Sequence, residues 1–328
     1  LAPNSPPIGF GQWVAFGALV AVLLAADLLV FHRRPRHPSL RESLASVAAW
    51  CLLALGFNGF LWWWRGGTAG LQFLTGYLLE WSLSMDNVFV FAVIFRYFQV
   101  PLHYQYRVLF WGILGAIVMR LGFILAGAAL VARFQVVLPL FGLVLLWTAV
   151  RLARPGASEV DPERNFVLRL ARRWLPMSRT SMADCGRAFF VREDGRWRVT
   201  PLVLVLLVIE TSDLVFALDS IPAIFGITRE AFIIFTSNVF AILGLRALYF
   251  LLAGVMRRFR YLHYGLAAVL GFVGLKMIGE WLFPREDGRD LVPIWLSLAI
   301  IAGLLAAAVL ASLIAHHREP PAADRRTE

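Results

Sequence analysis

The sequence predicts an all-α polytopic membrane protein with about nine transmembrane helices, in which two inverted three-helix repeats bring broken acidic helices to the midplane. Three observations predict it. Apolar residues gather into runs of about 20, the length that crosses a hydrocarbon core, and 59% of the chain is hydrophobic against 16% charged, with a mean hydropathy of +0.71. The basic residues lie mostly between those runs. Two of the runs nevertheless carry two or more carboxylates each, and a charge in hydrocarbon needs a partner or a function.

Spans are expected at 10–31, 44–64, 71–95, 108–131, 136–152, 202–225, 231–254, 263–283 and 294–315. The first run lacks a basic stretch before it and a small-residue cleavage site after it, so it is expected to be a retained span. With the N-terminus outside, the inner segments hold 23 of the 31 Lys and Arg residues. The positive-inside rule then places the N-terminus outside and the C-terminus in the cytoplasm. The net charge of +10 is therefore read as a topology signal and not as a nucleic-acid footprint. Of the two cysteines, Cys51 falls in an apolar run and Cys185 in a basic loop, which supports neither a disulfide framework nor a thiolate metal site.

The chain divides into two N-terminal helices (1–70), a first three-helix repeat (71–152), a cytoplasmic basic loop (153–200), a second, inverted repeat (201–283), and a last helix with a cytoplasmic tail (284–328). Within the loop, FVLRLARRWLPM reads as a short basic amphipathic helix. RAFFVREDGRWRVTP reads as two strands about an Asp194–Gly195 turn. The repeat rests on the third and sixth spans, each of which pairs an early glutamate with an aspartate closely followed by Val-Phe. Each is followed by a span with one buried arginine, Arg120 or Arg246.

The third span carries Glu80, Ser84 and Asn87 at i, i+4 and i+7, on one helical face, with Asp86 off it. Local unwinding around Ser82–Asn87 would let carboxylates, hydroxyls and freed carbonyls converge on one ion. The sixth span carries Glu210, Asp213 and Asp219, and Pro222 leaves the Leu218 carbonyl without its helical donor. These donors are all oxygens, a set that suits Mn²⁺, Mg²⁺ or Ca²⁺ better than Zn²⁺ or Cu⁺. Arg120, Arg246 and Lys276 would balance the surplus negative charge when no ion is bound. Each acid also has a structural reading as the partner of an arginine, and Asp27, within reach of Arg33, is evenly placed between the two. Asn58, Ser237 and Asn238 read as interhelical hydrogen-bonding residues, with Asn238 also a candidate ligand. Trp62, Trp63 and Trp64 read as an interfacial anchor.

FLTGYLLEWSLSMDNVFVFAVIF, RVLFWGILGAIVMR, IETSDLVFALDSIPAIFGIT and TSNVFAILGLRALYF together resemble the TerC family of integral membrane proteins, above all its Alx-like subgroup. That resemblance implies Mn²⁺ export, with Glu80, Asp86, Asn87, Glu210, Asp213 and Asp219 lining the path. The expectation is a non-enzymatic secondary transporter without a cofactor, with Mn²⁺ as substrate, protons as candidate counter-ion, the lipid bilayer as its surroundings, and a translocon or a second copy as candidate contact. Two alternatives stay open: a membrane scaffold or insertion factor whose acids serve internal ion pairs, and a handler of tellurite or another oxyanion. An acidic lining argues against the second, because anion sites want arginine and helix N-termini.

Overall fold

A computed structural model describes residues 8–31, 39–134, 136–154, 166–178, 188–252, 261–284 and 291–318. Cys185, Arg33 and most of the two short basic segments at 32–37 and 256–263 lie outside the described residues. The elements are α1 (Phe10–Phe31), α2 (Leu40–Arg65), α3 (Gly67–Tyr97), α4 (Leu102–Arg133), α5 (Val137–Leu152), α6 (Phe166–Trp174), β1 (Phe190–Glu193), β2 (Arg196–Val199), α7 (Pro201–Phe225), α8 (Ala231–Leu252), α9 (Leu262–Leu282) and α10 (Ile294–Arg318). Among the described residues, eight helices are long and apolar enough to cross a membrane. The ninth expected span is α5, whose 16 residues reach only about 24 Å at 1.5 Å per residue, short of a full hydrocarbon core.

Local chemistry sets the helix ends. Ser39 and Glu42 form a reciprocal capping box at the start of α2, which satisfies two backbone donors the helix itself cannot. Gly66, at φ +87°, occupies a region that favours glycine and lets α2 stop one residue before α3 begins. At the end of α3, Gln99 adopts φ 51°; its N–H donates to the Arg96 carbonyl and that of Val100 to Phe95. This is a Schellman closure, and Pro101 then starts the next helix. Arg65 closes the C-terminal end of α2 with an ion pair at 2.6 Å to Glu230, just before α8, so each charge also meets the helix end of opposite polarity.

Burial orders the bundle. Of the apolar window of α8, 94% is buried, against 17% for α1, α2 and α10. The central helix is thus enclosed by protein, and the outer three present apolar side chains to lipid. Around α8 pack α2, α3 and α4, while α7 contacts α3, α4 and α5. The α5–α9 pair is in close backbone contact. A Cβ at Gly142 would lie 2.9 Å from the Gly274 carbonyl oxygen, and one at Gly274 would lie 2.8 Å from that of Gly142. Only glycine at both positions permits that approach.

The expected unwinding of the third span is corrected here. From Gly67 to Tyr97 the backbone is continuous α-helix through Ser82–Asn87. The physical reason is that three of its polar side chains find partners without opening the backbone: Thr75 and Ser82 donate back to carbonyls four residues earlier, at 2.7 and 2.6 Å, and Glu80 meets a guanidinium. The sixth span, α7, likewise continues through Pro222 to Phe225.

Candidate functional site at the crossing of the acidic helices

α3 and α7 run antiparallel, which three side-chain neighbourhoods fix: Gly76 lies against Ile224, Glu80 and Ser220 meet the same nitrogen of Arg120, and Asn87 donates to Asp213 at 3.4 Å. Glu80 and Asp219 therefore stand at one level along the crossing, and Asp86, Asn87 and Asp213 nearly two turns farther along. Glu210 follows one turn beyond.

The centre is Arg120, delivered from α4. Its side chain is 1% exposed and Glu80 is fully enclosed. Nη1 donates to Glu80 Oε1 and reaches Ser220 Oγ at 3.4 Å. Nη2 and Nε donate to the two oxygens of Asp213 at 2.9 and 3.2 Å. A planar guanidinium suits this forked arrangement, which a lysine could not reproduce. One cation thus joins a carboxylate of α3 to one of α7, in surroundings where leaving either acid unpaired would be costly.

Along the α3 face that meets this centre lie buried oxygens with nothing to bind among the described residues, Glu80 Oε2, Ser84 Oγ and Asn87 Oδ1, and on α8 both the oxygen and the nitrogen of the Asn238 amide are likewise unpartnered. Such groups are uncommon in folded interiors, and a cluster of them marks a place where something polar is accommodated. Ser84 and Asn87 share the α3 face of Glu80, as their spacing predicts.

The remaining acids stand apart from the guanidinium. Asp86 and Glu210 are partly buried, with no hydrogen bond or ion pair among the described residues. Glu210 rests directly on Gly115 of α4, where any side chain would overlap its carboxylate. Asp219 accepts from Thr148 of α5 at 2.7 Å. Among the described residues no group of three or more His, Cys, Asp or Glu side chains is close enough to hold a metal ion as placed.

Two of the three basic residues expected at this centre lie elsewhere. Arg246 pairs with Asp27 of α1 and lines a small cleft with Ser43, Ser46, Trp50, Tyr106 and Phe250. Lys276, 4% exposed, donates to the Gly226 carbonyl at 3.0 Å and approaches Glu280 at 3.6 Å, so its ammonium is anchored inside the protein. The reason is phase: each long side chain takes the acceptor on its own helix face, and neither face points to the α3–α7 crossing. Ser237 donates within its own helix, to Ile234 at 3.1 Å, and not across helices. Sequence reasoning missed Gly115 and Thr148. A lone hydroxyl in an apolar run is a usable signal for Thr148; a glycine that makes room for a carboxylate on another helix leaves none.

A family model described as "Integral membrane protein TerC family" matches residues 65–320. The chain is 48% identical over 318 residues to "Uncharacterized membrane protein STKORF319" of Myxococcus xanthus, covering 96% of each. It is 44% identical over 302 residues to "Putative membrane-bound redox modulator Alx" of Escherichia coli (strain K12), covering 89% of this chain and 91% of that one. An "Uncharacterized membrane protein" of Rickettsia bellii is 36% identical over 303 residues, 92% of this chain and 97% of that one. No solved structure matches.

Proposed function

Because the chain belongs to the TerC family of integral membrane proteins and is closely related to its Alx-like members, we propose that it is a secondary transporter. It moves Mn²⁺ out of the cytoplasm across the bacterial inner membrane by alternating access, with the N-terminus outside and protons as counter-ion. The observation that carries this reading is the Arg120 fork, which holds carboxylates of α3 and α7 together beside buried oxygens that have no protein partner among the described residues.

Arg120 acts as the resident cation. With its guanidinium between Glu80 and Asp213 one of the two negative charges is offset and the pathway is closed; an entering divalent ion takes those carboxylates, together with Asn87 and Ser84, and Arg120 withdraws. Asp86 and Glu210 on one side of the centre and Asp219 near Glu80 supply further stations along the antiparallel helices, so the ion passes between carboxylates and never loses all its oxygen partners. Two inverted repeats, α3–α5 and α7–α9, provide the alternation. In support, each helix of one set contacts its counterpart in the other, and the Gly142–Gly274 contact is reciprocal, as a local two-fold axis requires.

The scaffold reading draws on one specific observation, that Arg120 satisfies Glu80 and Asp213 as a purely structural pair would. Asp86 and Glu210 separate the two readings, since a scaffold has no use for buried acids without partners. In inverted membrane vesicles, Asp86→Asn should abolish Mn²⁺ uptake without loss of folded protein in detergent, and Asp213→Asn should do the same. Undiminished uptake in both variants would end the export reading.

A further inference from the structure

Outside the bundle's crossing, α6 and the β1–β2 hairpin form a small platform that transport does not use. After α6 the chain runs beside β2: Met177 bridges to Val199, Val199 N–H donates to the Pro176 carbonyl, and Ser178 N–H donates to that of Val199, both at 2.9 Å. Leu168 and Ala171 of α6 are buried in a cluster with Leu202 and Val205 of α7. Phe189, just before β1, packs under Arg107 at 5.0 Å and edge-on to Trp111 of α4. Thr200 fastens the hairpin's base to the Ala188 and Phe189 carbonyls, one residue before α7 begins. The platform is therefore held against the N-terminal parts of two membrane helices, α4 and α7.

Its outward side has an unusual composition. Phe166, Leu170 and Trp174 follow one another at every fourth residue, a stripe about 80° wide on the face turned away from Leu168 and Ala171. They are 68%, 44% and 76% exposed. Exposed Arg173 and Arg169 border the stripe on its Phe166 side, and exposed Arg172 lies farther round in the same direction. On the hairpin the antiparallel register puts Phe190, Arg192 and Trp197 on one face, with Trp197 67% exposed. Aromatic side chains interleaved with arginine are what the headgroup region of a membrane selects: rings sit at the acyl boundary and guanidinium groups reach anionic phosphates. Water alone would leave this much apolar surface unfavourably exposed. The geometry points to this platform as a binding surface for anionic lipid headgroups, fixed in orientation by its docking on α4 and α7.

The test uses the full chain with Cys51→Ser and Cys185→Ser, carrying a nitroxide at Leu170→Cys or at Trp197→Cys, in nanodiscs of phosphatidylcholine alone or with added phosphatidylglycerol. Collision with oxygen reports lipid contact, and collision with a water-soluble nickel chelate reports aqueous exposure. With phosphatidylglycerol present, nickel accessibility should fall severalfold at both positions while oxygen accessibility rises. Arg169→Gln, Arg172→Gln and Arg173→Gln combined should reverse the change at 170, with the protein's elution in detergent unaltered. High nickel accessibility in both lipid mixtures would overturn the proposal and leave the face to a protein partner. Equal insertion in both mixtures and in the arginine-free variant would overturn its headgroup chemistry.

Discussion

Arg120 and Arg246 occupy corresponding places in the spans that follow the two acidic helices, yet they do different work. Arg120 is enclosed by α3, α4 and α7 and divides its donors between Glu80 and Asp213. Arg246 turns to Asp27 on α1, a helix outside both repeats, and borders a cleft that reaches Ser43 and Tyr106. The first joins the two halves across the proposed path; the second fastens a lipid-facing helix to the buried α8. The same residue type serves pathway or scaffold according to which carboxylate its helix face meets.

That contrast can be broken in several ways. The largest effect is expected from Arg120→Gln, which strands two buried carboxylates. Breaking a buried pair costs about 3–5 kcal/mol, read as a sharp fall in thermal stability in detergent. Adding Glu80→Gln and Asp213→Asn to an Arg120→Met background should restore much of that stability but none of the Mn²⁺ uptake, separating the structural from the transport contribution. Arg246→Met with Asp27→Asn should lower stability by about 1–3 kcal/mol and leave vesicle uptake intact; abolished uptake with folded protein would erase the distinction between the two centres. Gly274→Ala forces a methyl to 2.8 Å from the Gly142 carbonyl oxygen, and overpacking of this kind costs about 1–3 kcal/mol. If α5 and α9 slide during transport, this variant also slows uptake more than its stability loss explains. Thr148→Val removes only the hydrogen bond to Asp219, about 0.6 kcal/mol for an interhelical bond in a membrane protein. Its small thermal shift should come with a measurable change in uptake if Asp219 is a station on the path.

Much of the architecture is legible in the residues. The long helices follow from apolar runs, and α6 and the hairpin about Asp194 and Gly195, both with positive φ, follow from local periodicity and turn chemistry. The grouping of Glu80, Ser84 and Asn87 on one face follows from helical spacing. The partners of those side chains do not. An intrahelical acceptor for Ser82 and a guanidinium for Glu80 keep α3 continuous where exposed polar backbone is expected, and nothing along α3 announces either. Lys276 and Arg246 read as charge balance for the acids only as long as the rotation of their helices is unknown.

Composition and order along the chain determine that this protein crosses a membrane many times and carries acids where hydrocarbon should be, because transfer energies and helical periods are local properties that sum residue by residue. Tertiary structure alone decides that Arg120 and not Arg246 stands between the acids, that Asp86 and Glu210 lack partners among the described residues, and that Gly142 meets Gly274. Those outcomes depend on the relative rotation and direction of helices far apart in sequence, which are set by packing of the whole bundle at once.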